Sequence, residues 1–374
     1  MMPAPVQGGG EDKGMTMRNG IAAALAAGMV AVVAGPAMAQ SSQVQSTQVQ
    51  GSMTLMAYSG VFQDNYTATV VQPFQQQRGV TVQFTAPGTS AQMLGAIRAQ
   101  KGDAQTDVVI MDVTTAQIAC AEGLVEKLTP AEVPVLPQIA QLAREAGGDC
   151  GPGVTFDHMV MVYDTKAITT PPTSLEAMAA ASARGKVGID APPNILGLAM
   201  TAAIANKAGG NWRAIDAAMP LLKRIAANTQ TFQPQPDPYA TILNDQLHFA
   251  IGWNARGQYY HDQSKGRVGV VLPEEGAVFQ INTINLVAGS KNRAAALAFI
   301  NHALSAQPQA AFTERMFYAP TNTTAQVAPA ALERTAMAPQ YRSRVVPVDW
   351  SEMVKIRDSW NQRWRREVIT AAPR

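Results

Sequence analysis

"VFQINTINLVAG" occupies residues 278–289. Val278, Phe279, Ile281, Thr283, Ile284 and Val287 give it the β-branched and aromatic content of a strand. Asn282 and Asn285 interrupt it where a buried strand should be apolar. Two side-chain amides in such a place either face solvent or line a cleft that receives a polar guest. The choice depends on what flanks the stretch.

Upstream, "RVGVVLPEEGAVFQINTINLVAG" reads as two strands joined by a turn at Pro273, Glu274, Glu275 and Gly276. Downstream, "KNRAAALAFINHALS" is helical, with Ala295, Leu297, Ile300 and Leu304 on or near one face. A second long strand, "GVTFDHMVMVYDTK" (153–166), is apolar from Met159 to Val162. Ahead of it the chain alternates between strands and helices. "MTLMAYSG" (53–60) is a strand, and "NYTATVVQPFQQQRG" is a helix with Tyr66, Val70 and Phe74 at every fourth position and Gly79 as its stop. "VTVQFTA" is a strand, "SAQMLGAIRAQKG" a helix, and "TDVVIMD" a buried strand ending at Asp112. That order implies parallel strands with right-handed crossovers.

Between the long strands come a helix at "SLEAMAAASARG", the strand "KVGID", Pro192-Pro193, helices near 196–208 and 212–227, and the strand "LHFAIGWN". The long strands, 156–163 and 278–287, therefore separate two α/β blocks, and the return helix rejoins the first. The expected organisation is one lobe from 52–157 with 286–330, a second from 158–285, and a helical segment, 331–374, packed on both. Ligands collect at the carboxyl ends of strands in open α/β sheets. Tyr58-Ser59, Asp112, Asp190 and Trp253-Asn254 end strands and should converge on the cleft, with both asparagines at its hinge.

A chain of 374 residues exceeds one ordinary core. With 47% hydrophobic and 15% charged residues it is globular rather than disordered. A net charge of +2, from 29 basic and 27 acidic side chains, gives no field that would gather nucleic acid, and no motif for it is present. The C-terminal stretch is locally basic at Arg342, Arg357, Arg363, Arg365 and Arg366, which suits a solvated helix face or, alternatively, a docking patch.

"MRNGIAAALAAGMVAVVAGPAMAQ" has a charged start at Arg18, an apolar run from Ile21, and Ala37-Met38-Ala39 before Gln40. This is the form of a cleaved signal peptide, so residues 1–39 are expected to be removed, with Met15 or Met17 as the true start. Residues 40–51, "QSSQVQSTQVQG", read as a flexible leader. In an oxidising compartment Cys120 and Cys150 are expected to be bonded. Closing a loop of about 31 residues would stabilise by roughly 3.7 kcal/mol.

Catalytic groupings are sparse. His158, His248, His261 and His302 show no metal-ligand spacing, and there is no HExxH, no G-x-S-x-G and no phosphate loop. The expectation is a binding protein without enzyme activity, cofactor or metal. Tyr259-Tyr260 could imitate the tyrosine pair of ferric-ion binders, or simply pack on a helix.

The motifs "PFQQQRGVTV", "TDVVIMD", "GLVEKL", "FDHMVMVYDTK", "IGWNARG", "LPEEGAVFQINTINLVAGSKNRAAALAFINHALSAQPQ" and "FYAPTN" make the chain similar to periplasmic solute-binding proteins of ABC importers. More narrowly it resembles the spermidine/putrescine-binding family, over about residues 53 to 325. The resemblance implies a two-lobed periplasmic-binding fold of type II, with two crossover strands at the hinge and a ligand cleft between lobes. It also implies a periplasmic monomer that hands a small molecule to an inner-membrane permease and its ATPase. Trp253 and Tyr318 match pocket aromatics of the family. Asn282, however, stands where polyamine binders carry aspartate, and Asn194 stands for the second acid after Asp190.

Exchanging two charge-assisted bonds for neutral ones should weaken a dication's binding by about a hundredfold. Arg256 with Asp112 or Asp190 opposite suits a zwitterion or an organic anion better. The expected ligand contacts are Tyr58, Ser59, Asp112, Asp190, Asn194, Trp253, Arg256, Asn282 and Tyr318. A true polyamine binder, a ferric-ion binder and a secreted enzyme on the same scaffold are the alternatives.

Overall fold

A computed structural model describes residues 51–372. The expected signal peptide, 1–39, and nearly all of the expected leader lie outside the described residues.

Among the described residues ten strands alternate with helices: β1 (Gly51–Met56), β2 (Val80–Thr85), β3 (Val108–Asp112), β4 (Gly153–Asp164), β5 (Val187–Gly188), β6 (Thr229–Thr231), β7 (Phe249–Trp253), β8 (Val268–Val271), β9 (Ala277–Leu286) and β10 (Val345–Val346). They form one path, β2-β1-β3-β9-β4-β7-β5-β6, with β10 beside β9 and β8 beside β4. β1, β2 and β3 run parallel, as do β5, β6 and β7. All five residues of β3 and all twelve of β4 are buried, as expected for strands covered on both faces.

The two long strands make the crossing. β4 pairs with β9 over Gly153–His158, then with β7 from Met159 and with β8 from Met161. β9 pairs with β4 up to Thr283 and with β3 from Asn282 to Leu286. Each strand thus belongs to both halves of a curled sheet. The turn at 273–276 does not make a hairpin, because β8 and β9 lie beside β4 along different parts of its length.

Apolar periodicity places the helices well. The first begins at Val61, earlier than the sequence pattern suggests, and passes through a π-helical turn at Thr67–Val71 before ending at Gly79, φ 68°. Phe62, Tyr66 and Phe74 are buried against Phe312 and Phe299. The helix expected near 174–185 is instead a short helix, Glu176–Ala179, and a 3₁₀ turn, Ala181–Ala183. A disulfide joins Cys120 to Cys150.

The C-terminal helix, Trp350–Arg363, starts on an Asp349 cap that accepts from Ser351 N and Glu352 N. It packs on the helix Val113–Ala121, and its continuation at Trp364–Val368 packs on Ile215–Ala226. Trp350 donates to the Phe279 carbonyl and Trp364 to Thr201 Oγ1. Arg363 pairs with Asp216 and Glu367, whereas Arg365 and Arg366 are exposed.

Candidate functional site

Asn282 and Asn285 are three apart on a strand, so they face opposite sides of the sheet. Both are buried. Asn285 donates to the Val109 carbonyl at 3.2 Å and to Thr283 Oγ1 at 2.9 Å. It fits because residue 151 is glycine; a Cβ there would lie 2.1 Å from its Oδ1. Both lie on the crossing strand β9, where the hinge was expected, and Asn282 is the one that meets Tyr58.

Asn282 sits opposite Asp112 on one side and Thr155 on the other. Its Nδ2 donates to Thr155 Oγ1 at 2.9 Å, and its Oδ1 accepts from the Tyr58 hydroxyl at 3.0 Å and from Gln280. Thr155 and Asp157 of β4, with Gln280 and Asn282 of β9, share one face in register. The two crossing strands therefore carry a polar floor. Asn282 thus holds Tyr58 through Oδ1 and Thr155 through one of its two Nδ2 hydrogens.

Tyr58 is half-buried and also meets Ser90 Oγ at 2.9 Å; Ser90 Oγ in turn accepts from the Asp112 amide at 3.0 Å. Burial and then the nearby Asp112 hold the phenol protonated, against the pull of Ser90 and Arg256. Ser59 follows on the exposed loop.

The carboxylate of Asp112 is engaged locally. It caps the helix Val113–Ala121, accepting from Thr115 N at 3.0 Å, Thr114 Oγ1 at 2.6 Å and Thr115 Oγ1 at 2.8 Å. Two further acids have comparable duties. Asp237 caps Pro238–Leu243 and accepts from the Tyr260 hydroxyl at 3.2 Å. Asp157, fully buried, accepts from Ala255 N at the start of the helix Asn254–Gln263.

Arg256 stands on that same helix, half-buried, three residues after Trp253. Among the described residues it makes no ion pair. Burial works against its charge, but Tyr318, Tyr239 and Asp237 outweigh that and keep it protonated. The Tyr318 phenol is pushed up to about 12 by burial, opposed by Arg256. Tyr318 stacks on Phe312, and its neighbour Ala319 pairs with Phe156 of β4. Trp253 is half-buried, with its backbone amide and carbonyl both bonded to the Tyr239 hydroxyl.

Asp190 lies two residues after β5 and accepts from Asn194 Nδ2 at 3.0 Å; burial pushes it up to about 7. Asn194 is exposed and caps the helix Ile195–Gly209 through Leu196 N. Tyr259 and Tyr260 meet edge to face, and Tyr260 stacks on Tyr239. A separate groove of about 260 Å³, lined by Ile97, Lys101, Leu124 and Val287, has one cation and no aromatic wall. The signal for Asp157, Thr155 and Gln280 was present as polarity at alternate positions in two strands, but their shared face exists only once β4 and β9 are in register.

This arrangement, two α/β halves crossed by two strands with polar side chains at the strand ends, defines a two-lobed solute-binding protein. Residues 69–339 match the bacterial extracellular solute-binding protein model, and the chain belongs to that family. It is 24% identical over 298 residues to the γ-aminobutyric acid-binding protein of Pseudomonas aeruginosa, covering 77% of this chain and 81% of that one. A solved ABC transporter substrate-binding protein from Bradyrhizobium japonicum USDA 110 superposes with a TM-score of 0.72 at 18% identity, over 85% of this chain and 99% of that one. The binding protein AgtB from A. tumefaciens R10, in complex with agropinic acid, gives the same TM-score, identity and coverage.

Proposed function

We propose that this solute-binding protein, the substrate-binding component of an ABC importer, captures a small organic carboxylate or amino-acid-like zwitterion on Arg256. The observation that carries the reading is an imbalance of charge. Asp112, Asp157 and Asp237 each accept from a helix N-terminus, while the Arg256 guanidinium makes no direct ion pair among the described residues. A half-buried cation without a direct ion pair favours an anionic partner, and a planar guanidinium fits a carboxylate in two-point geometry.

Tyr318 supplies a hydroxyl to the same anion; Tyr58, whose own proton goes to Asn282, lines the site beside it, and Trp253 supplies an apolar wall. Ser59 and Asn194 line the mouth. Asp190, with one side-chain partner, is the acid open to an ammonium group. The relatives named for γ-aminobutyric acid and agropinic acid carry ligands of this chemistry. The lobes, 52–157 with 286–330 and 158–285, close on the ligand by bending where β4 and β9 cross. Export through cleavage after Ala39, a monomeric state, no bound nucleic acid and no catalytic turnover complete the proposal.

A thermal-shift panel tests the ligand class. γ-Aminobutyrate, glutarate and other short carboxylates should raise the melting temperature, while putrescine and spermidine should not. A rise with the polyamines alone would transfer the protein to the polyamine reading.

A further inference from the structure

Asp157 has no part in the contacts just assigned, yet it lies at the root of the helix that carries them. Its side chain is fully buried on the crossing strand β4, opposite Gln280. Oδ1 accepts from His158 N at 2.8 Å and from Ala255 N at 3.1 Å, and Oδ2 lies 3.3 Å from the same Ala255 amide. Ala255 is the residue between the helix start at Asn254 and Arg256. One carboxyl group thus ties the hinge strand to the first turn of the Arg256 helix.

The titratable groups around it are few. Arg256 comes from the helix, Tyr239 from the segment Pro238–Leu243, and Tyr318 from the strand-like segment paired to Phe156. On β9 the facing residue is the neutral Gln280. His158, next in the chain, turns its ring to Tyr341 and Phe279 on the other side. Asp157 makes no ion pair among the described residues, so an ionised Asp157 would draw on the single cation that the ligand needs.

We propose that Asp157 is a positioning residue for the ligand's anion site, fixing the Arg256 helix to the hinge while holding a proton, so that the guanidinium's charge is left for the ligand. This rests on the carboxylate reading of Arg256. Burial supports the protonated state, since it pushes Asp157 up to about 8. With Asp157 neutral, Arg256 and a carboxylate balance. With Asp157 ionised, the same site would hold two negative charges against one positive.

Two readouts test it. In ligand-free protein, a folded-state value near 8 against an ordinary 3.8 means that the folded state favours the proton. The contribution of Asp157 to stability is therefore full at acid pH and lost as pH rises toward 8. The melting temperature of wild type minus that of Asp157→Asn should fall between about pH 4 and 8 and then level off; a flat difference overturns the proposal. In calorimetric titrations with γ-aminobutyrate, a single linked proton makes wild-type affinity fall by up to about tenfold per pH unit above 8. That slope should vanish in Asp157→Asn, and Asp157→Ala, which lacks the acceptor for Ala255 N, should bind more weakly throughout. The same slope in Asp157→Asn as in wild type also overturns it. Absence of any carboxylate binding would count against the functional reading, while the ligand-free difference curve would still judge Asp157.

Discussion

Replacing Arg256 with methionine keeps an unbranched, apolar stem and removes the charge. Charge-assisted hydrogen bonds contribute about 1.5–3 kcal/mol, so Arg256→Met should weaken carboxylate binding by about 10- to 150-fold in titration calorimetry. Unchanged affinity would show that the anion sits elsewhere. His158 offers a test of a different kind. Both ring nitrogens are buried with no hydrogen-bond partner among the described residues, and burial pulls the imidazole down to about 3. A lowered value means that neutral His158 is favoured in the fold. Its contribution is full above about pH 6.5 and is lost as pH falls toward 3, by up to about 1.4 kcal/mol per pH unit. His158→Phe should flatten urea-unfolding midpoints across that range, with the phenyl ring meeting Tyr341 where the imidazole now lies at 4.8 Å; an equally steep acid loss would refute the assignment. Residues at strand ends, such as Tyr58 and Trp253, were legible in the sequence because the carboxyl-end rule points to them. The local role of Asp112 was not, because "DVTT" reads equally as a pocket acid and as a helix cap.

At the scale of elements, the C-terminal segment contributes packing that its charge conceals: Trp350, Met353, Trp360, Trp364 and Val368 are buried. Its sequence shows mainly basic charge, yet Trp364 is completely buried and donates to Thr201 Oγ1 at 2.9 Å. Truncating such a side chain costs about 3–5 kcal/mol. Trp364→Ala should therefore lower unfolding free energy by about that amount in chemical denaturation, and a loss under 1 kcal/mol would mean that the segment is only loosely attached. The long elements were readable: β4, β9 and the helices from Ile195 and Arg293 follow from apolar runs and 3.6-residue spacing. β6 and β10, of three and two residues, were not, since so short a run has no periodicity to detect. The helix at 174–185 is interrupted although its alanines favour helix, and Asn228 holds the break by donating to the Met178 and Ala180 carbonyls.

At the scale of the whole molecule, the same two strands carry both the fold and the site. β4 and β9 connect the halves, and their shared polar face positions Tyr58 and, through Asp157, the helix of Arg256. A ligand that bridges Arg256 and Tyr58 therefore draws the halves together where the chain is already joined. Small-angle scattering of the protein with and without the panel's tightest carboxylate measures this directly. The account predicts a smaller radius of gyration with ligand and none of that change in Arg256→Met. Compaction by putrescine but by no carboxylate, or binding of a carboxylate to wild type with no change in radius, would contradict it.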